Sequence, residues 1–164
     1  MKTSLNFIIS NINKNIIDLS ATLKELKELQ KLECLNQPEI TEQDYLKIIK
    51  KFPKYNTLSI EDLKNRKQLV LSRKNFTDIS PLRNLFNLRY LNLELNNITD
   101  ISPLRNLNKL KKLNLSCNNI SDISFLKNLY NLKYLNIWNN PIKRNKIYEL
   151  EVALPNCEIF IGIR

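Results

Sequence analysis

The chain has 164 residues, 43% of them hydrophobic, enough for one domain with a continuous core. It contains no histidine and a single glycine, Gly162, so the commonest general base and metal ligand is missing and no glycine-rich phosphate loop can form. The formal net charge is +10 and unevenly placed: residues 1–65 hold 10 basic and 9 acidic side chains, residues 66–164 hold 16 and 7, so an acidic partner surface is expected for the later part.

The N-terminal stretch MKTSLNFIISNINKN has too short and too interrupted an apolar run for a signal peptide. No segment approaches the length of a membrane span. Ile9, Ile12, Ile16, Leu19, Leu23, Leu26 and Leu29 follow three-and-four spacing, which predicts an amphipathic helix broken at Asn36-Gln37-Pro38. Thr41 then precedes Glu42-Gln43-Asp44 and the apolar Tyr45, Leu46, Ile48 and Ile49, a second helix start, with Phe52-Pro53 as its end. Residues 1–57 do not repeat and are expected to form a helical cap, or else a docking or dimerising arm, ahead of a repeat domain over residues 58–164.

From there the chain repeats every 22 residues. Leu88, Leu110 and Leu132 share one column, Leu91, Leu113 and Leu135 the next, and Leu93, Leu115 and Ile137 a third. Asn96, Asn118 and Asn140 follow, then Ile98, Ile120 and Ile142. Asp78, Asp100 and Asp122 recur in the second half, with Ile79, Ile101 and Ile123 beside them. Upstream the pattern weakens: Leu69, Leu71 and Phe76 keep their columns, while Arg66 and Lys74 replace a Leu and an Asn. Downstream, Leu154, Cys157 and Ile159 extend it, so strands are expected to start near residues 66, 88, 110, 132 and 154. Alternation in Tyr90-Leu91-Asn92-Leu93-Glu94 marks a short strand with one buried face. DISPLRNLFN suits a turn entering a short 3-10 or helical segment. KRNKIYELEVA, between Pro141 and Pro155, predicts a last helix over 143–153 and a closing strand at 157–161.

The run L-x-x-L-x-L-x-x-N-x-I followed by D-I-S-P-L-x-x-L resembles the leucine-rich-repeat family. It is similar to the 22-residue class of bacterial internalins and of a regulatory subunit of protein phosphatase 1. The resemblance covers roughly residues 58–164. It implies an α/β fold: a right-handed solenoid with a curved parallel sheet on its concave face and short 3-10 or helical segments on its convex face. It also implies that Asn96, Asn118 and Asn140 form an internal ladder satisfying backbone groups, and that the protein binds other proteins.

Candidate chemistry is sparse. Asp78, Asp100 and Asp122 read as caps of their own turns. Cys34, Cys117 and Cys157 match no zinc or redox spacing, and an odd, scattered set fits a reducing, cytoplasmic setting. Cys117 falls in a surface-facing column with no base beside it, and Cys157 in a core Leu column. No catalytic residue, metal or cofactor is expected.

The outward strand columns are more informative. An edge column holds Lys67, Arg89, Lys111 and Lys133, and the next holds Gln68, Tyr90, Lys112 and Tyr134. Val70, Asn92, Asn114 and Asn136 come next, then Ser72, Glu94, Ser116, Trp138 and Phe160. Exposed aromatic residues near basic ones are what interface anchors look like, which singles out Arg89, Tyr90, Lys111, Lys112, Lys133, Tyr134, Trp138 and Phe160. An acidic protein is the expected partner. The alternative is nucleic acid, favoured by the sequence pI of ≈ 9.6 and the Lys/Tyr interleaving. Arg83, Arg105 and Lys127 form a second basic column on the convex side.

Overall fold

Five three-residue strands form one parallel sheet in chain order, β1 Gln68–Val70, β2 Tyr90–Asn92, β3 Lys112–Asn114, β4 Tyr134–Asn136 and β5 Glu158–Phe160. The computed structural model describes residues 41–51 and 59–162. The chain divides into two units, Met1–Gln37 and Pro38–Arg164. The helix expected over residues 9–29 and the breaks at 36–38 and 52–53 lie outside the described residues, as does the expected boundary at 57/58.

Register follows from the repeat. Leu69, Leu91 and Leu113 each pair with the residue 22 positions on. Leu91, Leu93, Leu113, Leu115, Leu135 and Ile137 are buried on one side of the sheet. Each turn then enters a short 3-10 segment: Ser80–Leu82, Ser102–Leu104 and Ser124–Asn128. Asp fixes the entry. The amide N–H groups of Ser80, Ser102 and Ser124 donate to the carboxylates of Asp78, Asp100 and Asp122 at 2.8, 2.8 and 2.9 Å. Leu82, Leu104 and Leu126 bury against the back of the sheet, and each such side chain contributes roughly 1.5–3 kcal/mol of transfer free energy. No repeat closes its own core, so stability belongs to the stack.

Asn side chains, two buried and one partly buried, seal the bends between turns. Asn118 Nδ2 donates to the carbonyls of Leu93 and Leu115 at 3.0 and 2.9 Å, and its Oδ1 accepts from the Ile98 N–H at 3.1 Å. Asn96 and Asn140 do the same one turn away on either side. The bend preceding each of these Asn needs left-handed backbone. With glycine absent there, Leu95, Cys117 and Asn139 adopt φ of 53, 56 and 53°, and Arg73 holds the equivalent place before Lys74 with φ of 58°.

Helices close the described ends of the stack. Helix α1, Glu42–Lys51, packs on the first 3-10 segment and sends Ile48 into the core. Helix α2, Ile60–Lys64, starts from a reciprocal cap: the Asp62 N–H donates to Ser59 Oγ, and the Ser59 N–H donates to the Asp62 carboxylate. Helix α3, Arg144–Ala153, fills the last convex segment and buries Leu150.

Helix α3 also corrects the expected register of the last turn. Tyr134 pairs with Glu158, Leu135 with Ile159 and Asn136 with Phe160, each 24 residues on instead of 22. A ten-residue helix replaces a short 3-10 segment, and the strand after it arrives two residues late. Cys157 therefore does not face Leu135 as a core residue. It is half-buried, and Ile159 takes the inward place. Phe160 leaves the Trp138 column and ends the Asn column instead.

Candidate functional site

The outward side of the sheet carries the residues singled out by sequence. Its edge column is built by the backbone: the N–H groups of Arg89, Lys111 and Lys133 donate to the carbonyls of Lys67, Arg89 and Lys111, each at 2.8 Å. All four side chains are exposed. Tyr90, Lys112 and Tyr134 stand in the next column, in register across β2, β3 and β4, with both tyrosines half-buried and Glu158 closing the row.

Arg89, Tyr90, Lys111, Lys112, Lys133 and Tyr134 thus come together on adjoining columns. Trp138 lies at the opposite margin, just past β4, with 46% of its surface exposed. Phe160 is 41% exposed on the outermost strand, across from Asn136.

The Asn column between them is less free than its position suggests. Asn92, Asn114 and Asn136 accept the N–H groups of Glu94, Ser116 and Trp138 at 2.9, 3.0 and 3.0 Å. Their oxygens terminate the strands, the role of an Asx turn. Sequence reading placed them only as face residues. The signal was an Asn at the same place in three successive turns, where the strand has to end. Ser116, in an outward column, is buried, and its hydroxyl donates to Asn114 Oδ1 at 2.8 Å.

The electrostatics are simple. Ser124 holds the Asp122 carboxyl below its ordinary pKa through its amide N–H and its hydroxyl, and Lys146 adds to this. Burial pushes the Cys157 thiol up, Lys133 opposes this and Glu158 reinforces it. Among the described residues no group of three His, Cys, Asp or Glu side chains could hold a metal. Hollows among the described residues lie away from the basic columns. One of about 130 Å³ sits between α1 and the first turn, around Ile48, Leu71, Phe76 and Leu82. One of about 440 Å³ lies between α3 and Ile161. On the convex side Arg83, Arg105 and Lys127 are exposed.

The repeat itself matches a known family. The family model for leucine-rich repeats in two copies fits residues 86–128 and 108–151. Residues 86–151 are leucine-rich repeats. Internalin C2 of Listeria monocytogenes is similar at 36% identity and a TM-score of 0.56, over 65% of this chain and 46% of that one. An internalin of the same organism, InlF, is 31% identical with a TM-score of 0.62, over 77% of this chain and 39% of that one. A leucine-rich-repeat protein of Leptospira interrogans is 28% identical with a TM-score of 0.55, over 61% of this chain and 26% of that one. The chain therefore spans less than half the length of each of these relatives. No curated protein matches the sequence significantly.

The internalin resemblance carried by the motif is the one these leucine-rich-repeat structures support. Leucine-rich repeats act as protein-binding scaffolds, using the extended surface that stacking creates. Among the described residues no helix is long and apolar enough to cross a membrane.

Proposed function

We propose that this chain binds an acidic protein partner on the concave face of its leucine-rich repeats and carries no catalytic machinery of its own. One observation carries the reading: an uninterrupted exposed column of Lys67, Arg89, Lys111 and Lys133 adjoins Tyr90, Lys112 and Tyr134 on one sheet face. Tyr134, Trp138 and Phe160 supply apolar contact, and the cations supply orientation and association rate. The absence of histidine from the whole sequence supports the non-catalytic part. Regulator, immunity protein and effector are roles that such a binder could fill.

Trp138→Ala should weaken partner binding by on the order of 2 kcal/mol, as truncation of an interface anchor does. Lys111→Ala should cost less and act on association rate. The test is binding kinetics of both variants with the captured partner. Unchanged affinity in both would move the site off this face.

A nucleic-acid partner is the second reading, favoured by the charge of residues 66–164. Its signature would be affinity that collapses between low and physiological salt, with a log–log slope set by the number of phosphates contacted. The scattered cysteines support a reducing, cytoplasmic setting, and Cys117 and Cys157 are free thiols. Alkylation of the protein in intact cells, with the modified thiols counted by mass, tests this.

A further inference from the structure

The basic edge has a pitch, and the pitch selects the shape of the partner. Lys67, Arg89, Lys111 and Lys133 stand one per turn, each just before its strand, so the backbone positions that carry successive cations are about 4.8 Å apart. All four are exposed, and among the described residues no carboxylate forms an ion pair with any of them. An extended acidic chain laid along this line would offer same-side carboxylates only every 6.6 Å or about that, two residues of rise, and would fall out of step at the second cation. An α-helix on the same line rises about 1.5 Å per residue, so positions i, i+3, i+7 and i+10 lie at about 0, 4.5, 10.5 and 15 Å. The backbone positions of the four cationic residues lie at about 0, 4.8, 9.6 and 14.4 Å. The match is within about 1 Å at every place, and those four helix positions share one face.

The adjoining column repeats the argument with different chemistry. Tyr90 and Tyr134 are two strands apart, about 9.6 Å, with Lys112 between them. Side chains seven residues apart on a helix are separated by about 10.5 Å along its axis. The sheet face from Arg89 to Glu94 measures roughly 16 Å along the strand, wide enough for one helix of about 10–12 Å diameter.

The geometry points to an acidic amphipathic helix as the occupant of the concave face. Its axis crosses the strands, its carboxylates at i, i+3, i+7 and i+10 meet Lys67, Arg89, Lys111 and Lys133, and apolar side chains seven apart rest on Tyr90 and Tyr134. This inference rests on the proposed function, since it names the kind of acidic partner that the face would take.

The test uses the full chain and synthetic fluorescent peptides. One is an alanine-rich helix with four glutamates at the i, i+3, i+7, i+10 spacing and two leucines seven apart on the adjoining flank. The second has the same composition with the glutamates at alternate positions, which share a side only when extended. The helical peptide should bind at least tenfold more tightly and gain helicity by circular dichroism on binding. Lys111→Glu should lower that affinity at least tenfold. Lysine in place of one of the two inner glutamates should restore it, and lysine at either outer one should not.

Equal binding of the two peptides, or rescue at any glutamate position, would overturn the helix while leaving an acidic partner on this face. Tighter binding of a single-stranded oligonucleotide than of the helical peptide at physiological salt would also overturn it. Binding insensitive to Lys111→Glu but abolished by Arg105→Glu on the convex side would remove the concave-face reading itself.

Discussion

The indole of Trp138 lies directly over Gly162, so closely that a Cβ at position 162 would collide with the ring. Gly162 also has φ of 95°, where an L-residue is strained. The only glycine of the chain is therefore the floor of its only tryptophan, and half of that indole is packed while the other half faces solvent.

Gly162→Ala should push the ring outward and cost about 1 kcal/mol or more, from backbone strain with the clash added. Trp138 fluorescence should shift to longer wavelength. In a Trp138→Ala background the same change should cost less, because the clash is gone, and a double-mutant cycle by urea unfolding measures that difference. Equal costs in both backgrounds would mean that the ring does not rest on Gly162.

Leu95 occupies left-handed backbone with φ of 53°, and its side chain is 38% exposed. Asn139 holds the equivalent place one turn beyond Cys117. Leu95→Asn should stabilise the protein by about 0.5–1 kcal/mol, since Asn tolerates this conformation at lower cost. Chemical denaturation checks the sign.

Asn118 is buried and bonds backbone groups from two turns. Asn118→Ala would strand the Ile98 amide, at about 1–3 kcal/mol for a buried group left unmatched, and would leave the Leu93 and Leu115 carbonyls with Asn96 and Asn140 as their remaining side-chain donors. Unfolding midpoints should drop well below those of Asn140→Ala, because Asn140 is only partly buried and near the end of the stack.

Asp62 is held below its ordinary pKa by the Ser59 hydroxyl and amide, and Asp122 by the Ser124 amide and hydroxyl. A carboxylate with a depressed folded pKa adds stability above its unfolded pKa of about 3.9 and loses it as pH falls through the folded value. The melting temperatures of wild type and Asp122→Ala should therefore differ at pH 6, and the gap should close as pH falls below the unfolded value and through the lowered folded one. A constant gap across that range would mean that Asp122 acts through packing instead of its charge.

Most of this fold was legible because the 22-residue columns leave one solution: Leu91, Leu113 and Leu135 cannot all be buried unless the strands stack in register. The last turn was not legible. Its shift is two residues, and strand side chains alternate with period two, so Leu154, Cys157 and Ile159 satisfied the pattern equally well in the wrong register. The left-handed bends were hidden for another reason. Arg73, Leu95 and Cys117 are not the residues that mark such backbone, and of the three only Leu95 and Cys117 precede a buried Asn that bonds across the bend. The site was legible as columns of charge and aromatic rings. That Asn92, Asn114 and Asn136 end strands required the hydrogen bonds themselves.

In the proposed function the concave columns, and not the convex ones, hold the partner. The direct measurement is quantitative capture from the native cell with three baits: wild type, Arg89→Glu/Lys111→Glu/Lys133→Glu, and Arg83→Glu/Arg105→Glu/Lys127→Glu. Each bait is first shown to keep its circular dichroism and melting temperature. The two variants carry the same change in net charge, so nonspecific attraction falls equally in both. An acidic protein enriched by wild type should be kept by the convex variant and lost by the concave one. Retention by the concave variant and loss by the convex variant would contradict it.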